Sequence, residues 1–306
     1  MKSSLIIGSR GSRLALTQSN HIADRLRALL PGFDIRIEII TTTGDRILDA
    51  PLAKIGGKGL FTKELETALL EKRVDLAVHS LKDLPTEVPE GLAIAAIPVR
   101  ENPADVFVSA RYASLDALPD TATIGTSSLR RSAQLLAYRP SLKVVDLRGN
   151  VDTRLRKVAE GELDAAVLAC AGITRIGRAD AITQVLPAEI MISAPGQGAL
   201  GIEMRADDAE GRALIAPLIH TDTTIEVTAE RTVLAALEGG CQVPIGALAR
   251  VRGQEMTLSA CVCSLDGKRV LKTRVTGSIT SPVDLGMQAT DDLIAQGARE
   301  IMAAIR

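Results

Sequence analysis

The chain has 306 residues, which suits two or three domains, and 46% of them are hydrophobic, enough for sizeable cores. Its 36 basic and 37 acidic residues balance, and aromatics make up only 2% with no Trp. Both facts argue against a nucleic-acid binder, which needs excess positive charge and stacking platforms.

Strands alternate with helices over the first 200 residues. Residues 4–8 (SLIIG) read as a strand, and 12–30 follow with helical spacing until Pro31-Gly32 stops them. The run before them is too short for a signal-peptide core, and no stretch reaches the roughly 18–20 apolar residues of a membrane span, so a soluble cytoplasmic protein away from membranes is expected. Residues 34–40 (DIRIEII) alternate with period two, 59–73 are helical, and 74–80 (VDLAVHS) form a buried strand. This rhythm predicts α/β layers with a largely parallel sheet.

Two echoes recur in the same order. Ile7-Gly8-Ser9 is followed by Arg13, and Ile124-Gly125-Thr126 by Arg130 at the same offset; RVDLAV (73–78) matches ELDAAV (162–167). They predict two related α/β domains. Two prolines break the pattern at 98–105, and a second boundary falls at 193–205, where a two-domain chain crosses back to complete its first domain. The predicted domains are therefore 1–98 with 199–216, then 104–192, then 221–306. The last reads as α+β: a helix ending at Gly239-Gly240, strands joined by an Asp266-Gly267 hairpin turn, and one closing helix over 281–305. Ser281, Pro282 and Asp284 give that helix a capping box.

Cationic residues stand beside Gly/Ser/Thr loops: Arg10 and Arg13, Lys54 and Lys58, Arg130 and Arg131, Arg148 and Arg154. Where a strand hands over to a helix, free N–H groups and Arg side chains bind anions. The set implies a small ligand with several negative charges, against the plain alternative of solvated surface charge. GGKGL lacks the P-loop residues, and GQGALG (196–201) leads into a strand and reads as a hinge. The three histidines are scattered, so no metal is expected. Asp83 follows a buried strand, where sheet ligands bind, but its local pattern reads better as a turn Asp or a partner of Lys82. Cys170, Cys241, Cys261 and Cys263 suit reduced thiols, and Cys261 and Cys263 share one face of a strand. Cys241, after Gly239-Gly240, reads equally as a buried small hydrophobe or an accessible thiol.

Nine stretches together resemble the porphobilinogen deaminase family end to end: IGSRGSRLALTQ, TTTGDRILD, GGKGLFTKELE, DLAVHSLKDLPTE, GTSSLRRSAQL, LRGNVDTRLRK, LACAGITRIG, SAPGQGALGIE and LEGGCQVPIGALA. The resemblance implies two α/β domains like those of periplasmic binding proteins, with a hinge, plus a small α+β C-terminal domain. It implies a transferase that joins four porphobilinogen molecules head to tail, with loss of ammonia, onto a dipyrromethane primer, and releases the tetrapyrrole by hydrolysis. The primer would be attached covalently through Cys241 and never turned over. Asp83 would be the catalytic acid. Ser12, Lys82, Thr126, Ser128, Arg130, Arg131 and Arg148 would hold the cofactor. Arg10, Lys54, Lys58, Phe61, Ser80, Arg154 and Arg175 would bind substrate. A monomer is implied. Two rivals are a two-lobed binding module for a small polyanion, which has no use for Cys241, and a cysteine acyltransferase, for which no His/Asp base stands out.

Overall fold

The computed structural model describes residues 2–46, 61–237 and 243–305. The chain divides into two units, Met1–Arg100 with Ala199–Thr224, and Glu101–Gly198 with Ile225–Arg306. Lys54, Lys58 and Cys241 lie outside the described residues.

In the first unit, β1 (Ser4–Ser9) and β2 (Asp34–Ile39) flank the 17-residue helix α1 (Arg13–Leu29), as the alternating and helical runs require. A short helix α2 (Thr43–Arg46), helix α3 (Lys63–Leu70) and strands β3 (Leu76–Ser80) and β4 (Leu92–Ala96) follow. The fifth strand, β10 (Leu200–Arg205), arrives from far along the chain and inserts between β3 and β4, giving the order β2-β1-β3-β10-β4. One face packs Leu5, Ile7, Leu76 and Ile202 against Ile22 and Leu26 of α1; the other packs Ala77 against Leu65 and Leu69 of α3.

The second unit repeats this plan. Strands β5 (Asp105–Val108), β6 (Thr123–Gly125), β7 (Lys143–Val145), β8 (Ala165–Ala169) and β9 (Gln184–Val185) stand in the order β7-β6-β8-β5-β9. Helices α4 (Leu129–Tyr138), α5 (Val151–Ala159) and α6 (Cys170–Arg175) accompany them. Gly8 on β1 and Gly125 on β6 hold matching places, as do the RVDLAV and ELDAAV segments on β3 and β8, so the echoes in the sequence mark a repeated topology. The sheets are mixed, however. β10 runs antiparallel to β3 and β4, and β5 antiparallel to β8 and β9. A strand buried on both faces reads as one apolar run in either direction, so its sense is invisible to hydrophobic pattern.

Helices α7 (Ala209–Ile215) and α8 (Thr221–Ala236) lead to a separate three-stranded meander, β11 (Ile245–Arg252), β12 (Glu255–Cys263) and β13 (Val270–Ser278). Ala229 and Val233 of α8, Leu258 and Val262 of β12, and Leu285 and Leu293 of the closing helix build its core. That closing helix is two, α9 (Pro282–Ala295) and α10 (Ala298–Ala303), because Gly297 takes a left-handed φ of 102° between them. Ser281 precedes α9 but its side chain makes no capping bond.

The chain leaves the first unit and returns to it through two segments that touch. Glu101 N–H donates to the Gly198 carbonyl at 3.0 Å. A Cβ on Gly198, whose φ is +85°, would meet the Glu101 carbonyl oxygen at 2.3 Å, so only glycine fits the GQGALG turn.

Candidate active site

In the first unit the site begins where β1 gives way to α1. Ser12 caps α1 and accepts from Ala15 N–H at 3.3 Å. β3 ends beside it at Ser80, and a 3-10 turn over Leu81–Asp83 follows, closed by Leu84 N–H to the Leu81 carbonyl at 3.2 Å. Buried Leu81 pins the turn, which leaves Lys82 half-buried and Asp83 exposed at the carboxyl end of the strand. Arg10, Ser12, Gln18, Phe61, His79, Ser80 and Asp83 line one hollow. The Arg10 guanidinium lies over the Phe61 ring, 4.1 Å from its centroid.

Phe61 is held from below. A Cβ on Gly44 would sit 2.2 Å from a Phe61 ring carbon. Gly44→Ala should therefore displace the ring and the guanidinium stacked on it. Overpacking of this kind costs about 1–3 kcal/mol, measurable by urea unfolding. Unchanged stability would mean that the ring moves without strain.

Sequence reasoning missed Gln18. It is buried on α1 and donates through Nε2 to Ser80 Oγ at 2.9 Å, fixing that hydroxyl at the rim. A lone Gln on the inner face of an amphipathic helix was the available signal.

In the second unit, Thr126 follows β6 and its hydroxyl accepts from Ser128 N–H; Ser128 in turn caps α4, accepting from Arg131 N–H. This hydroxyl-rich turn is the counterpart of the Ser12 turn. Arg130 and Arg131 are both buried, and they converge on fully buried Asp105. Arg130 donates to Asp105 Oδ2 and to the Ile192 carbonyl, each at 2.7 Å, and Arg131 Nε to Asp105 Oδ1 at 2.8 Å. Burial alone would raise the Asp105 carboxyl; the charges of Arg130 and Arg131 override it and hold the group well below the usual carboxylate range. Gln197 Nε2 also donates to Asp105, at 3.0 Å. Gln197 sits in the GQGALG stretch read as a hinge, but Asp105 carries no local motif, and only the need of two buried guanidiniums for a counter-charge points to the carboxylate.

The remaining cations make contacts of their own. Arg148 Nε donates to Asp146 at 2.7 Å, and Arg154 Nε to the Gly149 carbonyl at 2.8 Å, both half-buried at the start of α5. Arg175 donates to the Gly198 carbonyl at 2.6 Å, and burial pulls its pKa down to about 10. The structure thus groups Arg10, Ser12, Phe61, Ser80 and Asp83 on the first unit, and Thr126, Ser128, Arg130 and Arg131 on the second.

Two family models account for most of the chain: "Porphobilinogen deaminase, dipyromethane cofactor binding domain" over residues 5–213 and "Porphobilinogen deaminase, C-terminal domain" over 224–295. Curated porphobilinogen deaminases are similar along their length. That of Pelotomaculum thermopropionicum is 52% identical, covering 100% of this chain and 98% of its own, and that of Desulforudis audaxviator is 53% identical, covering 100% and 99%. Among solved structures, the methionine binding protein MetQ is similar at 15% identity and TM-score 0.46, over 77% of this chain and 94% of its own. The chain belongs to the porphobilinogen deaminase family.

Proposed function

We propose that the hollow of the first unit is a reaction site of this enzyme, with Asp83 as its catalytic carboxylate, and that Cys241 carries the dipyrromethane cofactor. The chain is a transferase of tetrapyrrole biosynthesis that polymerises porphobilinogen with loss of ammonia and releases hydroxymethylbilane. The observation that carries the site assignment is an exposed carboxylate at a strand end, ringed by a guanidinium and two hydroxyls.

The donor set fits the cofactor. A group bearing several carboxylates and pyrrole N–H needs many hydrogen-bond donors and one acceptor of charge. Ser12, Lys82, Thr126, Ser128 and Arg148 are of the first kind, and Asp83 is the second. When bound, dipyrromethane supplies the primer, a pyrrole with a free α-carbon. In this reading Arg10, Ser80, Arg154 and Arg175, with Lys54 and Lys58, engage substrate carboxylates, and Phe61 packs on a ring. Arg130 and Arg131 serve the cofactor from behind: their side chains fix the Thr126–Ser128 turn to the sheet through Asp105. Asp83 stabilises the positive charge that develops at pyrrole nitrogen as ammonia leaves.

A two-lobed binding module is not favoured, since the matched family is an enzyme and includes the C-terminal domain. We place the protein in a reducing cytoplasm, as a monomer, the state the resemblance implies. Three buried free thiols, Cys170, Cys261 and Cys263, suit that compartment, and among the described residues no helix is long and apolar enough to cross a membrane.

Asp83→Asn tests the reading. The 3-10 turn closes on backbone bonds, so Asn keeps the shape and loses the charge. Removing one preorganised electrostatic group costs roughly 10²–10³ in rate. Single-turnover ammonia release should fall by that factor in a folded protein, with Asp83→Glu less affected. A rate within a few-fold of wild type would return Asp83 to a turn-forming role.

A further inference from the structure

Behind the hollow lies a buried acid–base cluster that the reading above does not use. His79 precedes Ser80 on β3 and pairs in register with Gly201 of β10, while Glu203 pairs with Ala77. His79 and Glu203 therefore share one face of the sheet, on the diagonal. His79 Nε2 stands 3.0 Å from Glu203 Oε2, and the two residues are 7% and 1% exposed. From α3, Glu66 faces the same pair, and burial with the neighbouring Glu203 pushes its carboxyl up, against an opposing contact from Thr62. Arg10, Lys82 and Asp83 are the charged groups on the hollow's side. Two buried ionisable groups, with a half-buried third beside them, are costly where apolar side chains would pack as well.

The reaction has a step that suits them. A new C–C bond joins the acceptor's α-carbon to the substrate's methylene carbon as the C–N bond breaks and ammonia departs. The acceptor's α C–H bond must then break, its electron pair restoring the aromatic ring and its proton passing to a base. Asp83, committed to charge at pyrrole nitrogen, is a poor acceptor for that proton. We propose, on the basis of the site assigned above, that His79 seated on Glu203 holds the proton released from the α-carbon in each cycle, before it passes to water or ammonia. Glu203 orients the ring and offsets the charge it gains.

The test uses the holoenzyme and porphobilinogen deuterated at its free α-carbon. General acid–base groups contribute roughly 10²–10⁴ in rate. His79→Gln and Glu203→Gln, both close in shape, should keep the covalent adduct by intact mass and slow elongation by about 10². The α-deuterium isotope effect should rise above the wild-type value in both variants, the pH profile of ammonia release should change shape, and species with one to three added pyrroles should accumulate. If His79→Gln does not fold, Glu203→Gln decides alone. A wild-type isotope effect and pH profile in a slowed, folded variant would reduce the pair to a structural contact and overturn the proposal. Full turnover in Asp83→Asn would overturn both this inference and the site beneath it, which separates the two failures.

Discussion

Cys241→Ala should give a folded protein with the bare mass of its sequence and no hydroxymethylbilane synthesis. The expectation follows from what surrounds the other thiols. Cys170, Cys261 and Cys263 are all buried. Burial pushes the Cys170 thiol up, and the hydrogen bond to Cys261, with burial, pushes Cys263 far above its ordinary value. Cys261 and Cys263 pack with Ala133 and Ile192, leaving no room for a pyrrole. Attachment needs thiolate character and access; burial denies access to all three, and Cys170 and Cys263 are held away from the thiolate form as well. Their Ala variants should keep the wild-type mass excess of two linked pyrrole units. An adduct that survives in Cys241→Ala would move the cofactor elsewhere. A thioether suits the role, because it resists both reduction and hydrolysis through repeated cycles.

Asp105→Asn should be among the most destabilising single changes in the second unit. It removes the carboxylate that buried Arg130 and Arg131 share, and breaking a buried pair in this way typically costs about 3–5 kcal/mol. Urea unfolding at neutral pH is the measurement, and a loss below about 1 kcal/mol, the range of an exposed pair, would show that the guanidiniums find other partners. Mild acid should not mimic the substitution. The folded Asp105 carboxyl is depressed, so its contribution is present above the unfolded value of about 3.9 and is lost only as pH falls through the lower folded value. The result also divides two roles. If Arg130→Lys lowers stability as well as cofactor content, the residue braces the Thr126–Ser128 turn. If only cofactor content falls, the residue meets the ligand directly.

The contrast between these two sites shows what a sequence can carry. The β1, α1 and β3 assignments were legible because period and stop signals are local. So was the repeated topology of the two five-stranded sheets, through the recurring Ile-Gly turn. The reversed sense of β5 and β10 was not, since direction leaves no mark on a run buried on both faces. Gly297 was absorbed into one helix because a single glycine in a helical pattern is ordinarily tolerated. Arg10 and Asp83 could be placed at strand ends from spacing alone. The Asp105 partnership spans about 25 residues and His79–Glu203 spans 124, so no window over the sequence contains either pair. For Asp83 the local pattern favoured a turn, and the motifs around it, taken together, outweighed that.

The insertion of β10 between β3 and β4 has a consequence for biosynthesis. When the ribosome has delivered Arg100, the first sheet holds β2, β1 and β3 but lacks its fourth member, and β4 joins that sheet only through β10. The nascent segment must wait with an open β3 edge, a template for wrong pairing, until residues 200–205 emerge. Every strand of the second sheet lies between residues 105 and 185 and is complete by then. Vectorial synthesis usually lets the N-terminal domain fold first. Here the order is inverted: the later-made α/β layer closes first, and the earlier one is finished by a strand that arrives after it.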